Sequence, residues 1–174
     1  MTKGSMPIAQ RLGPVVLVAA ISCVPPPSKD CIGNFGGASG SGLATQISAG
    51  TFDTCALRGD GTVACWGYNG GCASTPPPTS FAQISSGSDH VCGVTREGRI
   101  VCWGSNSSGQ RDVPEGLFSQ VSAGSQYTCA VRSDGALSCW GVKTYARSLI
   151  GSYAQVSAGL GRVCVLGGDG AASC

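Results

Sequence analysis

Four copies of one short phrase constrain this chain more than any other feature: Gln46-Ile47-Ser48-Ala49-Gly50, Gln83-Ile84-Ser85-Ser86-Gly87, Gln120-Val121-Ser122-Ala123-Gly124 and Gln155-Val156-Ser157-Ala158-Gly159, spaced 37, 37 and 35 residues apart. Self-similarity at such a period marks a repeat architecture, in which each unit buries its apolar face only against its neighbours. After each phrase come four residues and a cysteine, then an Asp-Gly or Glu-Gly pair, then a second cysteine ten positions beyond the first. Among 174 residues, 28 are glycine and only 11% are charged, a balance that favours short strands and tight turns over helices. The expected class is all-β.

Within a unit the strands read directly. Cys55-Ala56-Leu57-Arg58 and Thr62-Val63-Ala64-Cys65-Trp66 flank Gly59-Asp60-Gly61, and a three-residue turn containing Asp and Gly is a common hairpin connection. Centring the hairpin on Asp60 sets Cys55 opposite Cys65 and Leu57 opposite Val63, and likewise Val94 opposite Ile100 and Val131 opposite Leu137. Side chains alternate across a strand, so the cysteines and these apolar pairs share one face. The other face carries Ala56 with Ala64 and Ala130 with Ser138, a small surface on which Trp66, Trp103 and Trp140 can fill the gap to a neighbouring sheet.

The same register predicts four hairpin disulfides, Cys55 with Cys65, Cys92 with Cys102, Cys129 with Cys139 and Cys164 with Cys174. Eleven cysteines belong in an oxidising compartment. Three are then left over, and if Cys23 carries a lipid the other two, Cys31 and Cys72, can pair. No Cys-x-x-Cys occurs and His90 is the single histidine, so neither a metal site nor a cofactor is expected.

Residues 1–22 have the layout of an export signal, with Lys3 and Arg11 ahead of the apolar run Leu12 to Ile21. That run is too short to span a bilayer and contains Gly13 and Pro14. It ends in Ala20-Ile21-Ser22-Cys23, which resembles a bacterial lipobox, and a conventional cleavage near Ala19 to Ser22 is the alternative. Residues 23–43 read as a Pro/Gly-rich tether with a degenerate unit beginning at Cys31, and residues 44–174 as the repeats. Of eleven basic side chains, removing Lys3 and Arg11 leaves nine against nine acidic ones. A neutral module lacks the electrostatic footprint of nucleic-acid binding.

The units resemble the repeat of the regulator of chromosome condensation family. The resemblance rests on the Ala-Gly step, the Asp-Gly turn and the run Cys102-Trp103-Gly104-Ser105-Asn106-Ser107-Ser108-Gly109-Gln110, and His90 stands where many family repeats carry histidine. It implies blades of a β-propeller with four short strands each and a protein-binding face. The exported, cysteine-rich bacterial members are the closer comparison, with a propeller-type β-lactamase inhibitor protein as a distant relative. The fourth unit stops at Cys174 before the expected Trp-Gly, whereas closed propellers have four to eight blades. The expectation is therefore a partial propeller: a gene fragment, an open arc, or chains that self-associate to complete a ring.

Between the Ala-Gly step and the first cysteine of each unit the residues vary while the frame does not, and variable loops on a fixed scaffold commonly carry binding. Phe52, Asp53, Asp89, His90, Gln126, Tyr127 and Arg162 are the candidate contacts. The expected function is non-catalytic binding of a protein or cell-surface ligand by an envelope lipoprotein or secreted module that meets a membrane only through its lipid. A structural envelope component is the alternative. A hydrolase would have to use His90 as its base, and no Gly-x-Ser-x-Gly elbow accompanies it.

Overall fold

The computed structural model describes residues 43–67, 75–142 and 150–174. Cys23, Cys31 and Cys72, the leader and the tether lie outside the described residues.

Among the described residues, twelve strands form four antiparallel three-stranded sheets. Blade 1 holds β1 (Ala44–Ala49), β2 (Asp53–Arg58) and β3 (Val63–Gly67), and blade 2 holds β4 (Phe81–Ser86), β5 (His90–Thr95) and β6 (Ile100–Gly104). Blade 3 holds β7 (Phe118–Ala123), β8 (Tyr127–Arg132) and β9 (Leu137–Gly141). Blade 4 holds β10 (Tyr153–Ala158), β11 (Val163–Gly167) and β12 (Ala172–Ser173). The resemblance implied four strands per blade; each described sheet has three, because the repeated Gln-Ile-Ser phrase is itself the inner strand and the cysteine hairpin supplies the other two.

The hairpin register is the one the spacing predicts: Cys55 faces Cys65, Leu57 faces Val63, Val94 faces Ile100 and Val131 faces Leu137. In the first turn Asp60 accepts the Thr62 N–H at 2.9 Å, and Gly61 takes φ +89°, a conformation that a side chain disfavours. Asp134 and Asp169 hold the equivalent amides of Ala136 and Ala171 at 3.0 Å. All four hairpin cysteine pairs are bridged, with Cα atoms 4.0 to 4.1 Å apart.

Blades 1 to 3 each turn the cysteine-bearing face, the trailing face, toward the leading face of the next. Between blades 1 and 2, Cys55, Leu57 and Cys65 pack on Ile84, Val91, Phe81 and Trp103. Between blades 2 and 3, Cys92, Val94 and Ile100 meet Phe118, Val121 and Ala130, with Trp140 against them. Between blades 3 and 4, Tyr127, Cys129 and Val131 meet Val156, Val163 and Val165. Fully burying one such side chain contributes about 1.5–3 kcal/mol, so these three seams carry most of the apolar stabilisation. Trp103 and Trp140 fill the seams as expected, the Trp103 ring lying 5.5 Å from Phe81, whereas Trp66 on the leading face of blade 1 is exposed.

A second set of bonds sews the same seams. Gln46 Nε2 donates to the Ile84 carbonyl, and the Ile84 N–H donates back to Gln46 Oε1, both at 2.9 Å. Gln83 does the same to Val121 (2.8 and 2.9 Å), and Gln120 to Val156 (2.9 and 2.6 Å). Two residues along, Ser48, Ser85 and Ser122 accept the amides of Ser86, Ala123 and Ala158 at 2.9 to 3.0 Å. At the far end the Phe81, Phe118 and Tyr153 amides donate to the Gly61, Gly98 and Gly135 carbonyls at 2.8 Å. The outward backbone groups of β4, β7 and β10 are thus satisfied by the blade before each.

Candidate functional site

The end of the blades opposite the hairpins is built from four equivalent turns. The Gly50, Gly87, Gly124 and Gly159 amides donate to the carbonyls of Asp53, His90, Tyr127 and Arg162 at 2.8 to 2.9 Å, reversing the chain from each inner strand into the next. Neighbouring turns are linked sideways, Thr51 N–H to Gly87 O at 3.1 Å and Ser88 N–H to Gly124 O at 3.2 Å. A Cβ at Gly50 or Gly87 would collide with the carbonyl of the next glycine, which explains the recurring Ala-Gly step. The four turns ring one cavity of about 170 Å3, lined by Gly50, Thr51, Ser86, Gly87, Ser88, Gly124, Ser125, Gly159 and Leu160 among others.

The candidate residues divide sharply around this rim. Phe52 is 57% exposed, Gln126 and Arg162 are exposed, and Asp89 is half-buried. Asp53, His90 and Tyr127 lie beneath the rim, with exposures of 4%, 0% and 6%. Their burial follows from the two-residue period: Asp53 stands two before Cys55 and shares its trailing face, as His90 does with Cys92 and Tyr127 with Cys129.

Each of the three meets a different fate in its seam. His90 Nε2 lies 2.9 Å from Thr128 Oγ1, and the Thr128 hydroxyl donates to the Gln110 carbonyl at 2.9 Å. The threonine proton is thereby used, so Nε2 carries a hydrogen, and the buried Nδ1 has no hydrogen-bond partner. Burial, and then the charge of Arg111, push the imidazole down to about 4. Tyr127 donates its hydroxyl to Arg162 O at 2.9 Å, and burial raises its pKa. Asp53 faces blade 2 at the place where Val91 stands instead of a threonine, and its Oδ1 has no hydrogen-bond partner. Cys55 Sγ lies 3.9 Å from its Oδ2 but is bridged to Cys65 and has no proton to give. Burial pushes this carboxyl up to about 6, opposed by its own backbone amide and aided by Asp89.

The signature run also turns inward. Gln110 is 1% exposed, and its carbonyl receives both Thr128 and the Trp140 indole N–H at 2.9 Å. Asn106 braces the same loop through Asp112 (2.9 Å) and the Arg111 amide (2.8 Å). Sequence reasoning missed Leu160, which is 86% exposed on the rim; its signal was its slot just after the Ala-Gly step, shared with Thr51, Ser88 and Ser125. Among the described residues no group of three or more His, Cys, Asp or Glu could hold a metal ion, and no helix is long and apolar enough to cross a membrane.

Residues 44–71, 81–110 and 118–144 match the regulator of chromosome condensation (RCC1) repeat. No curated protein matches the chain. Among solved structures, the entire ectodomain of the Physcomitrella patens receptor kinase CR4 is 30% identical, with a TM-score of 0.64 over 76% of this chain and 39% of its own. The CRINKLY WD40 ectodomain of the Arabidopsis thaliana receptor kinase ACR4 is 27% identical, with a TM-score of 0.61 over 74% of this chain and 47% of its own. Yeast RCC1 (Prp20), solved bound to Kap60, shares the fold at 18% identity and a TM-score of 0.62, over 86% and 44%. The chain spans less than half the length of each.

Proposed function

Since three of its units are regulator of chromosome condensation repeats, we propose that this chain is an exported, non-catalytic binding module that engages a protein partner through its rim. The single observation that carries the reading is the convergence of the four variable turns around one cavity, with Leu160 exposed in its lining and Phe52 exposed on the same turn as its lining residue Thr51. Apolar side chains exposed on a rigid scaffold are the usual anchors of a protein contact, surrounded by adaptable polar groups such as Gln126, Asp89 and Arg162. Two receptor-kinase ectodomains with the same fold, and yeast RCC1 bound to Kap60, are precedents for the fold in recognition.

Four hairpin disulfides support export, because such bridges persist in oxidising compartments. Anchoring through a lipid on Cys23 is part of the proposal and is tested by intact mass after detergent extraction. A hydrolase role for His90 is disfavoured by its neutral, fully buried ring, whose Nε2 is engaged by Thr128.

The test is affinity capture from surface extracts of the source cells with three matched proteins. The unaltered chain and Leu117→Ala, which changes an exposed residue at the hairpin end, should retain one saturable partner. A Phe52→Ala/Leu160→Asp chain should lose it by tenfold or more. Equal capture by all three proteins would move the contact surface away from the rim.

A further inference from the structure

Beneath the rim, Asp53, His90 and Tyr127 occupy one repeat-equivalent place, and two of them give a hydrogen bond to the next blade. His90 donates its Nε2 hydrogen to Thr128, and Tyr127 its hydroxyl hydrogen to the Arg162 carbonyl, each at 2.9 Å. An ionised Asp53 has no hydrogen to give. Val91 stands before it where His90 meets a threonine, and its buried Oδ1 has no hydrogen-bond partner. Ser86, across the same joint, is 7% exposed and its hydroxyl is also unpartnered, so the two make no bond to each other. A Cβ on Gly50 would strike both Asp53 Oδ1 and the Gly87 carbonyl, which sets the orphan oxygen beside that carbonyl. Gly87 O accepts the Thr51 amide at 3.1 Å, and a carbonyl oxygen has two lone pairs.

We infer that Asp53 is a proton-operated latch between blades 1 and 2. Protonated, it donates to the Gly87 carbonyl and holds the turn from Gly50 to Asp53 against blade 2; ionised, it faces that carbonyl oxygen to oxygen and releases the turn. Two acceptors side by side repel most where water cannot screen them. The proton removes the buried charge and supplies the donor that this joint lacks. Among the described residues, Asp89 in the facing turn of blade 2 adds like charge. β1 and β4 carry no titratable side chain, β3 only the bridged Cys65, and Arg58 stands at the far end of β2. His90 on β5 has its ring in the following joint. The carboxyl titrates near 6, so the latch works between about pH 5 and 7, above the range in which His90 titrates near 4. The turn it holds carries Phe52, and the same proton sets how firmly that side chain is presented. That consequence rests on the rim reading, whereas the latch is tested with no partner present, so the two can fail separately.

The experiment measures amide protection by NMR on the oxidised 174-residue chain from about pH 5 to about pH 7.5. The Thr51 amide, bonded to Gly87 O, should lose about three- to tenfold in protection as pH rises, the worth of one hydrogen bond. The Ser88 amide, bonded likewise to Gly124 O, should hold steady. The carboxyl carbon of Asp53 should titrate with the same midpoint as Thr51. Asp53→Asn, whose side-chain amide can donate at every pH, should keep Thr51 protected throughout, and Asp89→Asn, which removes the neighbouring like charge, should move the midpoint to lower pH. Thr51 protection that does not change with pH in the unaltered chain overturns the proposal. A change that persists in Asp53→Asn, or that Ser88 shows in parallel, also overturns it.

Discussion

Among the described residues, blades 2 and 3 have a neighbour on both faces, and blades 1 and 4 on one each. The same residues behave differently in the two settings. The central branched residue of the inner strand is 1% exposed at Ile84, Val121 and Val156 and 68% exposed at Ile47. The first cysteine of the hairpin bridge is 0% exposed at Cys55, Cys92 and Cys129 and half-buried at Cys164, and the second is buried or half-buried at Cys65, Cys102 and Cys139 but exposed at Cys174. In a stack of this kind stability resides in interfaces between repeats more than in the repeats themselves. A residue's worth is set by which faces of its blade are covered.

The comparison is broken most severely at the seams. Phe81→Ala removes a ring that is 1% exposed and packed on Trp103, and should cost about 3–5 kcal/mol in denaturant unfolding, whereas Ile47→Ala should cost under about 0.5 in the monomer. Next comes the bridge of blade 2. Serine at both Cys92 and Cys102 should cost about 2–3 kcal/mol from loop entropy alone, plus a penalty for burying hydroxyls. The same change at Cys164 and Cys174 should cost less, since Cys174 is exposed.

Smaller effects sharpen the same contrast. Gln83→Ala leaves the Val121 amide and carbonyl without partners and should cost about 1–3 kcal/mol; Gln155→Ala should be near neutral at monomer concentrations. A further change is a gain that depends on pH. Asp53 titrates near 6 in the fold against an ordinary 3.8, so the folded state is penalised wherever the carboxyl is ionised in both states. Asp53→Asn should therefore stabilise the protein above pH 6, with the gain fading as pH falls from 6 toward 4. His90 acts in the opposite sense over an overlapping window: its folded value near 4 lies below 6.5, so the fold loses stability as pH falls through that range. Thermal melts of the unaltered chain and Asp53→Asn between pH 4 and 8 separate the two.

What could be read from the sequence was local. A ten-residue cysteine spacing around a three-residue turn permits one register, and the alternation of Leu57 and Ala56 names the face that must be covered. The joints could not be read this way, because Gln46 and Ser48 bind the backbone of a strand 38 residues away and a backbone partner leaves no mark on residue type. The rim was half legible. Phe52 and Gln126 stand out from the turns as expected, but Asp53, His90 and Tyr127 obey the alternation set by the following cysteines and point into the seams. Treating each variable stretch as one loop concealed where the strand begins.

Amide hydrogen exchange at four equivalent positions tests most directly the claim that neighbouring blades, not the repeat sequence, hold the structure. At concentrations where the chain is monomeric, the Ile84, Val121 and Val156 amides, each bonded to the preceding blade's glutamine, should exchange slowest, and the Ile47 amide should exchange orders of magnitude faster. Equal protection of all four would contradict the account, because the repeat alone would then be sufficient.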